Sequence, residues 1–305
     1  MKGVERTLKG STMGASLGRA LAAIAVLFMA GCTLSVDANR KQCKVDGDCH
    51  DRGFGAETVC REGLCSPPPP PADWACLSDP PPSAPPATER FIVKSRAQEI
   101  VPARGVPGAS VKVCAKLDRN CESPQGPIVI TDDNGDFEVE VVGNFSGYLQ
   151  LEKDSWVTVR YFFYPNVREN WNLASIQMVT KVALPGLVAY LQAPAALDRG
   201  IFLISAWNCL NQAASDVVFE TSTRDDATKT FYARGTLPNP DATQTDSAGY
   251  GGFVNVPAIG GDGKPGVSVI VTGVFKPSGE RIAELSLVSY PESLTISRMV
   301  HLGDP

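Results

Sequence analysis

From residue 89 onward, apolar and polar positions alternate in short, β-branched runs set between Gly, Pro, Asn and Asp. Phe91-Ile92-Val93, Ser110 to Val113, Phe137 to Val141 and Tyr148 to Leu151 fit a period of two, which sends successive side chains to opposite faces of a strand. The pattern recurs at Trp156 to Phe163, Ile201 to Trp207, Val217 to Thr221, Val267 to Phe275, Ile282 to Val288 and Leu294 to Val300. One helix is predicted, over Pro185 to Gln192, with its proline in the first turn, where a missing N–H costs nothing. Many short strands without long helices predict β-sandwiches.

A weak internal repeat divides this β body. Gly108-Ala109-Ser110-Val111 leads to a Thr131-Asp132-Asp133-Asn134-Gly135 turn and then Phe137; Ala214-Ser215-Asp216-Val217 leads to Thr245-Asp246-Ser247-Ala248-Gly249. The aspartate can bond its own backbone two residues on, and the glycine supplies positive φ. The fold class is therefore mainly β. Two tandem sandwiches are expected over residues 89–170 and 199–305, with a connector at 171–198 carrying the short helix.

The chain ahead of the body is of different character. Residues 67–88 hold Pro67 to Pro71, Pro80 to Pro82 and Pro85-Pro86, an extended polyproline-like spacer that acts as a stalk. At the N-terminus Lys2, Arg6, Lys9 and Arg19 precede an apolar run from Ala20 to Ala30, followed by Gly31-Cys32. Eleven helical residues reach only about half of a bilayer core, so residues 1–31 are expected to be an export signal rather than a spanning helix. The Gly14-Ala15-Ser16-Leu17-Gly18 match to G-x-S-x-G falls inside this leader and precedes no strand-turn-helix, so it carries no chemistry.

Nine cysteines leave one over in an exported chain, and assigning Cys32 elsewhere restores an even eight. Cys43, Cys49, Cys60 and Cys65 crowd into a module at 32–66 with several glycines and few large apolar residues. Such a segment cannot bury a core and is held by cross-links, whose pairing the spacing leaves open. Zinc is the alternative, but the gaps of five, ten and four residues do not match C-x2–4-C pairs. Asp46, Asp48 and Asp51 lack the glycine and late glutamate of an EF-hand loop and read as turn residues. Cys114 and Cys121 flank Leu117-Asp118-Arg119-Asn120, which can turn and join them. That leaves Cys76 for Cys209, a bridge pinning the spacer to the second sandwich.

Two resemblances extend this reading. Met29-Ala30-Gly31-Cys32 resembles the lipobox of bacterial lipoproteins, with Met29 where that family has Leu, Val or Ile. The resemblance implies cleavage before Cys32, acylation of that residue and attachment to a membrane through the N-terminal lipid. Thr33 in place of the retention signal's Asp implies an outer membrane or cell surface. Pro107, Gly108, Ala109 and Val111, then Thr131, Asp132, Gly135 and Phe137, resemble the carboxypeptidase regulatory-like domain, a transthyretin-type β-sandwich. The second copy departs: Ala213-Ala214-Ser215 replaces Pro-x-Gly and Gly251-Gly252 lengthen the turn before Phe253, while Asn255-Val256-Pro257 keeps the post-turn strand. The resemblance covers about residues 89–305 and implies transthyretin-like or Ig-like sandwiches in a non-catalytic accessory role.

Composition narrows the chemistry further. Twenty-eight Lys and Arg against 33 Asp and Glu give a net charge of -5, the wrong sign for a nucleic-acid partner. The only histidines, His50 and His301, sit in no H-x-x-E pair, so a metallocarboxypeptidase site is missing. Gly260-Gly261-Asp262-Gly263-Lys264 ends on Pro265 where a phosphate loop needs Ser or Thr. No catalytic residue, cofactor or metal is expected. One aromatic run remains, and Trp156, Phe162, Tyr164 and Trp171 are its candidates for a ligand surface. One face of that strand must be core; the other either packs against the neighbouring sandwich, the reading the following connector favours, or stacks on sugar rings. The function expected is a surface-displayed binding or scaffolding protein with an envelope protein or polysaccharide as partner. An adhesin using those aromatics, or a metal-assisted hydrolase at the acidic turns, are the alternatives.

Overall fold

The structure is a computed structural model describing residues 43–51, 59–61, 63–66 and 88–300, apart from 195, 197, 236, 277 and 278. The leader, Cys32, the spacer up to residue 87 with its Cys76, and His301 lie outside the described residues. Among the described residues no helix is long and apolar enough to cross a membrane. The chain divides into two compact units, within residues 1–68 and 69–305.

In the first unit a helix, Asp46–Asp51, precedes a hairpin of β1 (Val59–Arg61) and β2 (Leu64–Ser66). Asp48 Oδ2 accepts the N–H groups of Lys44 and Val45 at 2.5 and 3.2 Å, a turn-closing role. Cys60 and Cys65 stand directly opposite on the hairpin, and opposite residues share a face. Cys60 joins Cys43 and Cys65 joins Cys49, with Cα separations of 5.6 and 5.5 Å. The sulfurs of Cys43, Cys49 and Cys65 lie within 4.8 Å of one another, but each is bonded to sulfur and is not the thiolate that zinc takes.

Among the described residues of the second unit, the regular elements are strands but for the helix Leu184–Tyr190. Its first half holds β3 (Arg90–Glu99), β4 (Ser110–Ala115), β5 (Val129–Ile130), β6 (Asp136–Val142), β7 (Gly147–Glu152), β8 (Thr158–Phe162), β9 (Trp171–Asn172) and β10 (Ile176–Met178). After the helix come β11 (Arg199–Ala206), β12 (Val217–Thr221), β13 (Lys229–Arg234) and β14 (Leu237–Asn239). The last four are β15 (Tyr250–Pro257), β16 (Val267–Phe275), β17 (Glu280–Ser289) and β18 (Ser293–Met299). The fold class is as read: mainly β, two sandwiches about a short helical connector. β13 escaped the periodicity because Phe231 and Tyr232 are both buried, one on each face, which leaves no alternation to see.

The repeat is a geometric fact. Thr131 is buried, its hydroxyl donating to the Val106 carbonyl at 2.7 Å and accepting the Ala109 N–H at 2.9 Å. Thr245 does the same with the Ala214 carbonyl and the Val217 N–H, at 2.8 and 3.0 Å. Gly135 and Gly249 close the two turns at φ of 83° and 74°. A Cβ on either would press on a backbone oxygen, Ala97 O at 2.4 Å or Ala206 O at 2.6 Å. These matches move the alignment by two residues from the expected one. Asp216, at φ 63°, takes the place of Gly108 at φ 71°, so Ser215-Asp216 is the counterpart of Pro107-Gly108. Asp is among the few non-glycine residues that tolerate this conformation, and the sequence motif disappears with it.

The two sandwiches share a sheet. A nine-stranded sheet runs β14-β13-β15-β11-β18-β8-β7-β4-β5, combining strands of both halves. β3, β6, β9 and β10 form a separate four-stranded sheet, and β12-β16-β17 a three-stranded one. Along β11, Ile201 enters one core while Phe202 and Ile204 enter the other; along β8, Val159 and Phe162 divide the same way. Period-two alternation therefore puts the two cores, with their covering sheets, on opposite faces of the long sheet. We expect Thr245→Val, which strands the buried Val217 N–H, to cost about 1–3 kcal/mol in urea denaturation. Because the sheet is shared, both halves are expected to melt in a single calorimetric transition, and two resolved transitions would contradict this.

Candidate functional site

β8 lies in the middle of the nine-stranded sheet, and both its faces are covered. Phe162 is 3% exposed and stacks on Tyr148 with ring centroids 4.9 Å apart. Its covered ring cannot stack on a sugar, although it forms part of the wall of a small cavity beside β17. The cause is the second core, which covers the face the sequence left open.

Trp156, Tyr164 and Trp171 are half-buried. Trp156 and Trp171 pack on the core beneath the four-stranded sheet, whereas Tyr164 packs on the other. The Lys153 ammonium sits 5.9 Å from the Trp156 ring, and Trp171 lies 5.7 Å from Phe163. The three do not make one stacking platform.

The sequence did not mark the seam where the first half meets the second. Arg160, on β8, is buried with its guanidinium 3.8 Å from the centre of the Tyr290 ring. Burial lowers the Arg160 pKa, and the neighbouring phenols partly offset this. Tyr148 donates its hydroxyl to the Asp118 carbonyl at 2.6 Å, and Tyr290 donates to the carbonyl of Arg119. Arg119 in turn donates to the Gly266 carbonyl at 3.2 Å. Cys114 is joined to Cys121, closing the loop that presents those carbonyls. Cys209 is also disulfide-bonded; its expected partner Cys76 lies outside the described residues.

The acidic turns are committed to the fold. Asp132 Oδ1 accepts the N–H groups of Asn134 and Asp136, both at 2.8 Å. Asp136 takes a two-point bond from Arg96, at 2.7 and 2.9 Å, which holds its carboxyl below the usual range. Asp246 accepts from Ala248 and Gly235 at 2.8 and 2.7 Å. Beside Arg96 an open groove of about 670 Å³ runs along β3, lined by Lys94, Gln98, Asp132, Asn172 and Ser175. Lys94 pairs with Glu138 at 2.7 Å, so the groove alternates charge and carries no single-sign field.

No family model matches this chain, and no curated protein matches it. Among solved structures it is similar to the shaft pilin SpaA of Lactobacillus rhamnosus GG, at 9% identity and a TM-score of 0.21, over 70% of this chain and 97% of that one. It is similar to the Bacillus anthracis TIE protein at 10% identity and 0.22, over 70% of this chain but 34% of that one. BcpA, the major pilin subunit of Bacillus cereus, aligns at 10% identity and 0.24, over 68% of this chain and 69% of that one. At such scores these likenesses carry no argument about function.

The seam is expected to be sensitive to alkali. Burial, and then the nearby Tyr290, push the Tyr148 phenol from its ordinary 10 up to about 12. A group whose folded pKa is raised contributes stability that is complete below its unfolded value and lost as pH rises through the folded one. Wild type is expected to lose stability between about pH 10 and 12, and Tyr148→Phe less steeply. Tyr161, also pushed to about 12 by burial, shares the window and keeps the variant's loss above zero. Urea midpoints measured across that range check it, and equal slopes would contradict it.

Proposed function

We propose that this chain is an exported, lipid-anchored protein of the cell envelope, displayed at an outer membrane or cell surface, with a non-catalytic scaffolding role. The observation that carries the reading is the commitment of its reactive side chains to the fold. The turn carboxylates of Asp132, Asp136 and Asp246 accept backbone and guanidinium donors. Four cysteines of the first unit and Cys114, Cys121 and Cys209 of the second are in disulfides, which suits an oxidising compartment. The matched environments of Thr131 and Thr245 support two carboxypeptidase regulatory-like copies. For the anchor the support is Met29-Ala30-Gly31-Cys32 alone. Two or three acyl chains would hold it, since each buried methylene contributes about 0.8 kcal/mol.

A second reading, a polysaccharide binder, is favoured by the open groove on β3, where Asn172 is exposed next to Trp171. Quenching of tryptophan fluorescence by envelope polysaccharide, lost in Trp171→Ala, would support it over scaffolding.

Cells fed a clickable fatty acid are expected to label the wild type and not Cys32→Ala. Full labelling of the variant would remove the lipoprotein reading. In-cell crosslinking is expected to capture an envelope protein from the wild type and to lose it when Cys32→Ala detaches the chain.

A further inference from the structure

Both ends of the nine-stranded sheet are blunted. β5 is two residues long and follows Pro127, and β14 is three residues long and contains Pro238. Short, proline-marked edges discourage pairing with another chain. β17 differs. It is the longest edge strand among the described residues, ten residues over Glu280–Ser289 against seven for β6 and five for β12, contains no proline, and pairs there with β16 alone.

The ladder shows which of its backbone groups point outward. Ile270 on β16 accepts the Ser222 N–H with its carbonyl and donates its N–H to the Ser222 hydroxyl, so both groups face away from β17. Ile270 is directly opposite Ser286. In an antiparallel pair, opposite residues either exchange both bonds or both turn away. The N–H and C=O of Ser286 therefore point to the free edge, and by period two those of Glu284 do as well. Neither residue has a backbone partner on that side among the described residues.

A cavity lies against this stretch. It measures about 100 Å³ and is walled by Phe162, Phe163 and Tyr164 of the first half and by Leu285 and Leu287 of β17. Lys116 stands at it and makes no ion pair among the described residues, whereas Glu284 is already engaged by Arg281 at 2.7 Å. The space is smaller than the roughly 150 Å³ that accommodates benzene, so it suits an aliphatic side chain.

We propose that the β17 edge takes up an extended segment of another envelope protein by strand addition, with an aliphatic side chain in the Tyr164–Leu285 cavity and a neighbouring carboxylate on Lys116. The free backbone supplies the affinity of such a site, and the cavity and cation its selectivity. This deepens the scaffolding reading and rests on it for the partner's identity.

The test uses the full chain and fluorescein-labelled Thr-Val-Glu-Val-Thr-Val-Glu-amide, followed by fluorescence anisotropy. Wild type is expected to bind it, and to bind the same peptide with Lys in place of Glu more weakly. Ser286→Pro removes an outward N–H without touching the β16 ladder, and edge proline is tolerated on that side. It should weaken binding about tenfold or more while the melting midpoint holds. N-methylation of alternate peptide amides on wild type probes the same bonds from the other side, and should also abolish binding in one of its two registers. Wild type failing to bind, or Ser286→Pro and both methylated peptides binding as well as the parents, overturns the site. Peptide binding retained with no envelope protein crosslinked in cells upholds the site and removes the scaffolding role.

Discussion

β18 forms two parallel ladders at once, and the architecture of the second unit hangs on them. Leu294 stands opposite Val159 of β8 on one side and Ile201 of β11 on the other. Without it β8 and β11 would each be an open edge, and the nine-stranded sheet would fall into two. Both faces of β18 are buried, although its sequence, Ser-Leu-Thr-Ile-Ser-Arg-Met, is half polar. The hydroxyls resolve this. Ser293 donates to the Tyr290 carbonyl at 3.0 Å, Thr295 to Val288 at 3.1 Å and Ser297 to Phe162 at 3.2 Å. Each buried O–H thus meets a backbone acceptor, as burial demands.

That arrangement explains what the sequence showed and what it hid. Strands with one wet face announced themselves: β3 alternates buried and exposed positions, with Lys94 and Arg96 outside and Val93, Ser95 and Ala97 inside. The Thr-Asp-x-x-Gly turns were legible because hydrogen bonding and positive φ restrict residue choice locally. The weld was not. Pairing between Thr158–Phe162 and Ser293–Met299 joins segments with no shared motif, and nothing in either period says which edge it meets. The same gap misplaced Phe162: an alternating strand has a second face, but only the partner decides whether that face is wet.

The disulfides divide into two kinds of work. In the first unit, Cys43–Cys60 and Cys49–Cys65 stand in for a core the composition cannot supply. Cys114–Cys121 instead closes a small loop within a well-packed body, where a further few kcal/mol of loop entropy matters less than position. Its loop offers the carbonyls of Asp118 and Arg119 to Tyr148 and Tyr290, one phenol from each half. Spacing alone revealed the bridge; its role needed the seam.

Tandem domains move against one another by default unless their interface is large and apolar. Here the connection is a continuous hydrogen-bonded sheet, backed on one side by the Arg160–Tyr290 contact and on both by cores that draw residues from each half. Ile201, Phe231, Val254 and Ile296 of the second half enter the same core as Val111 and Leu149 of the first. Bending at the β8–β18 junction would break ladder bonds and open two cores together. The segment between β10 and β11, with its helix, is therefore a crossover within one continuously packed unit. The shared sheet and its two cores fix the distance and orientation between the β3 groove and the β17 edge.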